Sequence, residues 1–301
     1  MKLAVMRTED GLAYQDGLIR QPDGRDLAWR CWGEPDGVPV LRLQGTPGSR
    51  LYRHPDPSIQ QSLGTRYVMV DRPGYGGSSR KKGRGVADVA DDFVALLDAL
   101  ELERVPVMGT SGGGPHALAV ASRHPKRISA VTVVVGAAPL EAVEAARLVG
   151  VNAAGYAAAG KGWAALHELL VPLRERLLGP EGMQGVLSDA PQVDRAIMES
   201  PAWQRMSRTN SAEALRQGAE GWTDESMALH EKWDFAPEAI GASVTWWHGD
   251  DDLNAPITAA RRLARQLRNV ELKEWHDEGH FASLTHEREI VQELLSRSEK
   301  S

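Results

Sequence analysis

Val105-Pro106-Val107-Met108-Gly109-Thr110-Ser111-Gly112-Gly113-Gly114-Pro115-His116-Ala117 is the stretch on which the fold turns. Its apolar start reads as a buried strand. The glycines that follow read as a turn. Pro115 suits the first turn of a helix, where a missing backbone N–H is no loss, and Ala117 to Ser122 continues in helical composition. Between strand and helix lies Gly109-Thr110-Ser111-Gly112-Gly113, a G-x-S-x-G pattern. A serine on so sharp a turn takes a strained backbone conformation, and side chains two positions to either side would clash. Glycine at both places removes the clash and leaves the hydroxyl in the open. The chain has 30 glycines in 301 residues, so the pattern gains its weight from the strand and helix around it. A phosphate cradle is the competing reading. The Lys-Ser/Thr pair of a P-loop does not follow, and a G-x-G-x-x-G fingerprint is absent.

Outward from this turn the chain alternates. Gly17-Leu18-Ile19-Arg20 and Leu27-Ala28-Trp29-Arg30-Cys31-Trp32 flank Pro22-Asp23-Gly24, which predicts a hairpin. Val38 to Leu43 reads as a strand ending in Gln44-Gly45-Thr46-Pro47-Gly48. Tyr67 to Val70 reads as another, ending in Asp71-Arg72-Pro73-Gly74-Tyr75-Gly76. Val86, Val89, Phe93, Leu97 and Leu100 recur at three- and four-residue spacing, one face of a helix. The β-branched run from Val131 to Val135 predicts a central parallel strand. Near Ala138 the alternation stops. From there to about 236 the chain is rich in Ala, Glu, Arg and Leu without a strand pattern, which predicts several helices. Strand–helix alternation resumes with Val244 to Trp247, a helix over Thr258 to Leu267, a strand over Val270 to Trp275 and a last helix from about Glu287 to Ser296. Such an order implies a mostly parallel central sheet flanked by helices. The predicted fold class is α/β, with 1–137 and 237–301 as the core domain and 138–236 as an inserted all-helical domain.

Composition narrows the function classes. Hydrophobic residues at 42% and charged residues at 25% are those of a globular chain, which rules out wholesale disorder. A net charge of −6 gives no electrostatic reason to expect nucleic acid or an anionic membrane surface as partner. Cys31 is the single cysteine, so neither an intrachain disulfide nor a cysteine zinc cluster is expected. The run Met1-Lys2-Leu3-Ala4-Val5-Met6 falls short of the ~7–15 residues of a signal-peptide core. No stretch reaches the ~18 apolar residues of a membrane helix. The expectation is a cytoplasmic protein, monomer or homodimer, acting on a small molecule.

A nucleophilic serine needs a base and a group that orients the base. His280 lies in Glu278-Gly279-His280-Phe281, just past the last expected strand. Asp252 lies in Asp250-Asp251-Asp252-Leu253-Asn254-Ala255-Pro256, just past the strand before it. Both places are where open α/β sheets put their ligands. The order Ser, Asp, His is that of one serine-hydrolase architecture and differs from two others. His276 and His280 are four apart, but a metal pair needs one helical face and Gly279 argues for a turn, so no metal is expected.

With these four motifs in order, the chain resembles the α/β-hydrolase family, in its lid-bearing branch of esterases, lactonases, peptidases and C–C hydrolases. The resemblance spans nearly the whole chain. It implies an α/β-hydrolase core with an inserted helical cap, or lid, and a triad of Ser111, Asp252 and His280. In such proteins the acid stands four residues before a proline, which selects Asp252 over Asp250 and Asp251. The oxyanion hole is expected from the backbone N–H groups of Gly112 and Thr46. A histidine is common where this chain has Gln44, so the bracing of that loop is expected to differ. Gln44, His116, Trp163, Trp203 and Trp222 are candidate substrate contacts. The Asp71–Gly76 stretch is expected to border the site without chemistry. The implied function is hydrolysis of a carboxylic ester or lactone of a small to medium apolar substrate, with no cofactor. The alternatives are another bond cut by the same triad (a prolyl peptide, thioester or C–C bond) or a non-catalytic ligand-binding protein of this fold.

Overall fold

Short apolar runs that alternate with amphipathic stretches dictate layers, because each strand needs cover on both faces. The computed structural model describes residues 4–300 and has this arrangement. Met1 to Leu3, part of the N-terminal run considered above, lie outside the described residues. Nine strands form one sheet: β1 (Met6–Arg7), β2 (Ala13–Arg20), β3 (Asp26–Trp32), β4 (Val38–Leu43), β5 (Thr65–Val70), β6 (Val105–Thr110), β7 (Ile128–Val134), β8 (Ser243–Gly249) and β9 (Val270–Trp275). Their spatial order is β1-β2-β3-β5-β4-β6-β7-β8-β9. Pairing is antiparallel from β1 to β3 and between β3 and β5, and parallel from there to β9.

The helices are α1 (Pro57–Leu63), α2 (Ala90–Ala99), α3 (Gly113–Arg123), α4 (Ala142–Ala145), α5 (Gly150–Ala159), α6 (Trp163–Leu178), α7 (Gly182–Val186), α8 (Gln192–Met198), α9 (Pro201–Ala214), α10 (Glu220–His230), α11 (Ile257–Ala264), α12 (Ala282–Thr285) and α13 (Glu287–Ser298). Along β7, Val131 and Val133 face one core with Phe93, Leu97, Leu118 and Leu263. Ala130 and Val134 face the other with Ile290, Val291 and Leu294 of α13. This alternation covers both sides of the sheet. The expected hairpin is β2–β3. The expected helix over 86–100 is a short 3-10 turn at Ala87–Val89 leading into α2. Helix α1 was not anticipated, although its ends are spelled out. Asp56 Oδ1 accepts from Ser58 N at 2.9 Å, Pro57 opens the first turn, and Gly64 closes it at φ +61°.

Between the neighbouring strands β7 and β8 the described residues form seven α-helices, α4 to α10, then a 3-10 turn at Pro237–Ala239, and no strand. They have a core of their own, in which Leu166, Leu170, Leu177, Ala214, Leu215 and Trp222 pack together with Tyr75. Among the described residues no helix is long and apolar enough to cross a membrane.

Candidate active site

The passage from β6 into α3 leaves Ser111 a two-residue turn. Its φ is +53°, the left-handed region that costs a non-glycine residue energy. Neighbours hold the strain in place. Ser111 N donates to Val134 O at 2.9 Å, and Ser111 O accepts from Gly114 N at 2.9 Å and from Ala137 N at 3.1 Å. A Cβ on Gly113 would strike the carbonyl oxygens of Leu43 and Gln44, and one on Gly109 would strike the backbone of Gly113. Gly113→Ala is therefore expected to destabilise the fold by about 1–3 kcal/mol. Urea titration should show a lower midpoint at unchanged slope, and a wild-type midpoint would contradict the crowding.

Asp252 follows β8 and His280 follows β9, so parallel strands deliver both to the rim where β6 delivers Ser111. His280 Nε2 lies 2.9 Å from Ser111 Oγ, and His280 Nδ1 lies 2.8 Å from Asp252 Oδ2. An ionised carboxylate only accepts, so Nδ1 carries the proton and Nε2 is free to accept from the serine. The other Asp252 oxygen, Oδ1, accepts from Asn254 N at 2.8 Å and Ala255 N at 2.9 Å. Burial pushes Asp252 up. The charge of His280 and hydrogen bonds from His248 and His280 outweigh this and hold the carboxyl far below its ordinary range. For His280, burial disfavours the charged ring, but Asp252 and then Asp194 more than compensate and raise its pKa above the ordinary 6.5. The sister carboxylates stand elsewhere: Asp250 pairs with His276 Nδ1 at 3.0 Å, and Asp251 is exposed. His248 is buried behind the acid. Its Nε2 donates to Ala255 O at 2.8 Å and lies 3.3 Å from Asp252 Oδ2.

Beside Ser111 lies the loop after β4. A Cβ on Gly45 would lie 3.3 Å from Ser111 Cβ, and one on Gly112 would strike Thr46 Oγ1, so the three backbones converge on the hydroxyl. Neither Thr46 N nor Gly112 N has an acceptor among the described residues. Two unpartnered N–H groups next to a serine can receive a developing oxyanion.

A cavity of about 370 Å³ opens over Ser111. Gln44, Trp203 and Trp222 line it, as expected, together with Leu170, Met183 and Met206 from the helices between β7 and β8. Gln44 Nε2 donates to Val70 O at 2.9 Å, and its Oε1 has no partner among the described residues. Two expected substrate contacts are misplaced. His116 points away from the cavity into the core: its Nδ1 donates to Val86 O at 2.9 Å and its Nε2 lies 3.4 Å from Glu225 Oε1. The side chain follows its helix register, since α3 is packed on nearly every face. Trp163 is also outside the lining. Its indole Nε1 donates to Asp224 Oδ1 at 2.7 Å and its ring stacks on His167. Sequence reading missed Asp194, Glu225 and Arg72, all buried beside the site. The first two had no local signal, because their partners lie 86 or more residues away. Arg72 stood in a motif already singled out. Among the described residues no three His, Cys, Asp or Glu side chains are arranged to hold a metal ion.

Comparison with known proteins agrees with this fold. The alpha/beta hydrolase fold family matches residues 38–287, and the chain belongs to that family. An uncharacterized hydrolase of Bacillus subtilis, YcgS, is 32% identical over 37% of this chain and 38% of its own length. The dihydrolipoyllysine-residue acetyltransferase component of the acetoin cleaving system of Pseudomonas putida is 26% identical over 91% of this chain and 66% of its own. The chain thus spans less than two thirds of either relative. The enol-lactonase of Burkholderia xenovorans LB400 superposes with a TM-score of 0.69 at 20% identity, over 93% of this chain and 100% of that one, which is a likeness of fold.

Proposed function

We propose that the protein is a serine hydrolase that cleaves a carboxylic ester or lactone of an uncharged, largely apolar substrate through an acyl-enzyme. One observation carries the reading: the hydrogen-bonded line Ser111–His280–Asp252 ends in a cavity whose described lining holds no Asp, Glu, Lys or Arg. A charged substrate would be desolvated there with no carboxylate, ammonium or guanidinium in the lining to meet it, which is costly. The same feature disfavours a prolyl aminopeptidase, whose free amine calls for a carboxylate in the pocket. An aligned triad argues against a purely binding role.

Ser111 Oγ attacks the carbonyl carbon as its proton passes to His280 Nε2. The oxyanion forms opposite Thr46 N and Gly112 N. Asp252 orients the imidazolium and stays ionised. The tetrahedral intermediate expels the alcohol, which takes the proton from Nε2 and leaves an acyl-serine. Water attacks this ester, gives its proton to Nε2, and the acid departs as the proton returns to Oγ. Helices of the 138–236 segment act as a lid, with Trp203, Trp222, Met183 and Met206 shaping an adaptable apolar wall.

Only neutral His280 accepts the serine proton. Activity is therefore expected to rise with pH through a midpoint above 6.5, because the folded-state pKa is raised. An acid limb of kcat/KM centred below 6.5 contradicts the assignment. The substrate class is tested with p-nitrophenyl esters, lactones and prolyl amides, alongside fluorophosphonate labelling of Ser111. Turnover confined to prolyl amides, or no label on Ser111, defeats the proposal.

A further inference from the structure

A carboxylate taken wholly out of water is unstable unless cations meet it. Glu225, on α10, is fully buried; Arg72, Arg84 and Thr46 of the core hydrogen-bond to it, and His116 Nε2 lies 3.4 Å from its Oε1. Arg72 Nε donates to its Oε1 at 2.8 Å, Arg84 Nη2 to its Oε2 at 2.9 Å, and the Thr46 hydroxyl to its Oε1 at 2.8 Å. Burial pushes the Glu225 carboxyl up, but Arg72, His116 and Arg84 reverse this and hold it well below the usual range. The same guanidinium, whose Nη2 also lies 2.7 Å from Glu225 Oε1, holds one loop. Nη1 donates to Gln44 O at 2.7 Å and Nη2 to Gly45 O at 2.9 Å. Gly45 C=O and Thr46 N–H belong to one planar peptide. Holding that carbonyl toward Arg72 turns the Thr46 N–H the opposite way. The chain of contacts runs from the helical segment, through Arg72, to the orientation of one candidate oxyanion donor.

A second carboxylate of the same segment grips the other catalytic loop. Asp194, on α8, is buried. Its Oδ2 accepts from His280 N at 2.9 Å and its Oδ1 from Phe281 N at 2.8 Å. A Cβ on Gly279 would run into this carboxylate, so the loop approaches it as closely as glycine allows. Neither Glu225 nor Asp194 lines the cavity, so neither acts by touching substrate.

We infer that Glu225 and Asp194 are positioning residues: the helical segment between β7 and β8 sets the Gly45–Thr46 peptide and the His280 loop through these two buried carboxylates. The inference rests on the hydrolase reading for its catalytic consequence, while the loop geometry it asserts stands apart from that reading. Glu225→Gln leaves two guanidiniums facing an uncharged amide and can unfold the chain. Thr46→Val therefore accompanies it, since it cuts the tie to Glu225 and keeps the Thr46 N–H. Asp194→Asn removes the second grip without stranding a buried cation.

With p-nitrophenyl butyrate, Glu225→Gln and Thr46→Val are expected to lower kcat about 10- to 100-fold at nearly constant KM. That is less than the ~10²–10³ for deleting a donor outright. Inhibition by a short-chain trifluoromethyl ketone, which forms the oxyanion on serine, should weaken in parallel. Asp194→Asn should lower kcat and move the acid limb of kcat/KM to lower pH. The charged and titratable groups facing His280 are Asp252, with His248 behind it, and Asp194, and the substitution removes the charge of one. Amide hydrogen exchange of His280 and Phe281 should quicken in the Asp194→Asn protein. Folded variants with wild-type kcat, ketone affinity, pH profile and exchange rates overturn the inference. If wild-type Ser111 takes no fluorophosphonate label, the hydrolase reading fails, and the exchange rates still decide whether Asp194 holds the loop.

Discussion

Ser111→Ala is expected to lower kcat on p-nitrophenyl butyrate about 10⁴- to 10⁶-fold, with KM little changed. The hydroxyl is the atom that attacks, and no neighbour replaces it. Ser111 Oγ bonds only to His280 among the described residues, so its loss removes chemistry without stranding a buried donor elsewhere. The left-handed backbone at this position is already accepted by a side chain, and alanine adds no bulk. The cavity keeps its shape, hence the constant KM. Residual rate above water is expected from Thr46 N, Gly112 N and substrate binding alone. Rates within tenfold of wild type, on protein free of contaminating esterase, would remove Ser111 from the mechanism.

Asp252→Asn is expected to cost about 10⁴ in kcat while leaving the fold intact. The direction follows from the two ends of the carboxylate. Oδ1 accepts from Asn254 N and Ala255 N, so an amide places its oxygen there. Its NH2 then occupies the Oδ2 position, 2.8 Å from His280 Nδ1. A donor at that point makes Nδ1 the acceptor and puts the ring proton on Nε2. The imidazole then faces Ser111 with a proton already in place and cannot take another. Asp252→Glu keeps the charge but not the reach, and is expected to lose less. Activity of Asp252→Asn within tenfold of wild type would mean that the ring tautomer does not govern proton transfer here.

Several features were legible because their causes are local. Gly109, Ser111 and Gly113 announce a crowded turn, since the clashes that demand glycine come from the turn itself and from β4 beside it. His280 was found from its place after β9, and Asp252 from its place after β8 together with the spacing to Pro256 that the family resemblance implies. The helices between β7 and β8 were legible as a class from composition. Their contacts were not. Trp163 and Trp203 look alike in sequence, yet one bonds Asp224 while the other lines the cavity with Met206. Helix register decides which way each indole points, and register within a cluster of short helices is settled by how they pack on one another. His116 failed because α3 is packed on nearly every face, so its side chains meet the core and not the cavity.

From the amino-acid order alone came the α/β alternation, the strained serine turn, the three residues that meet there and the family they resemble. The alternation and the turn rest on periodicity and steric rules acting over a few residues, and the choice of Asp252 among its neighbours rests on the family resemblance. Only the tertiary structure gave a cavity lining without Asp, Glu, Lys or Arg, the buried contacts of Arg72, Glu225 and Asp194, and the absence of His116 and Trp163 from the cavity wall. Each of those depends on a contact between segments far apart in the chain. Whether a buried charge finds a partner is a property of packing, which no spacing along the sequence encodes.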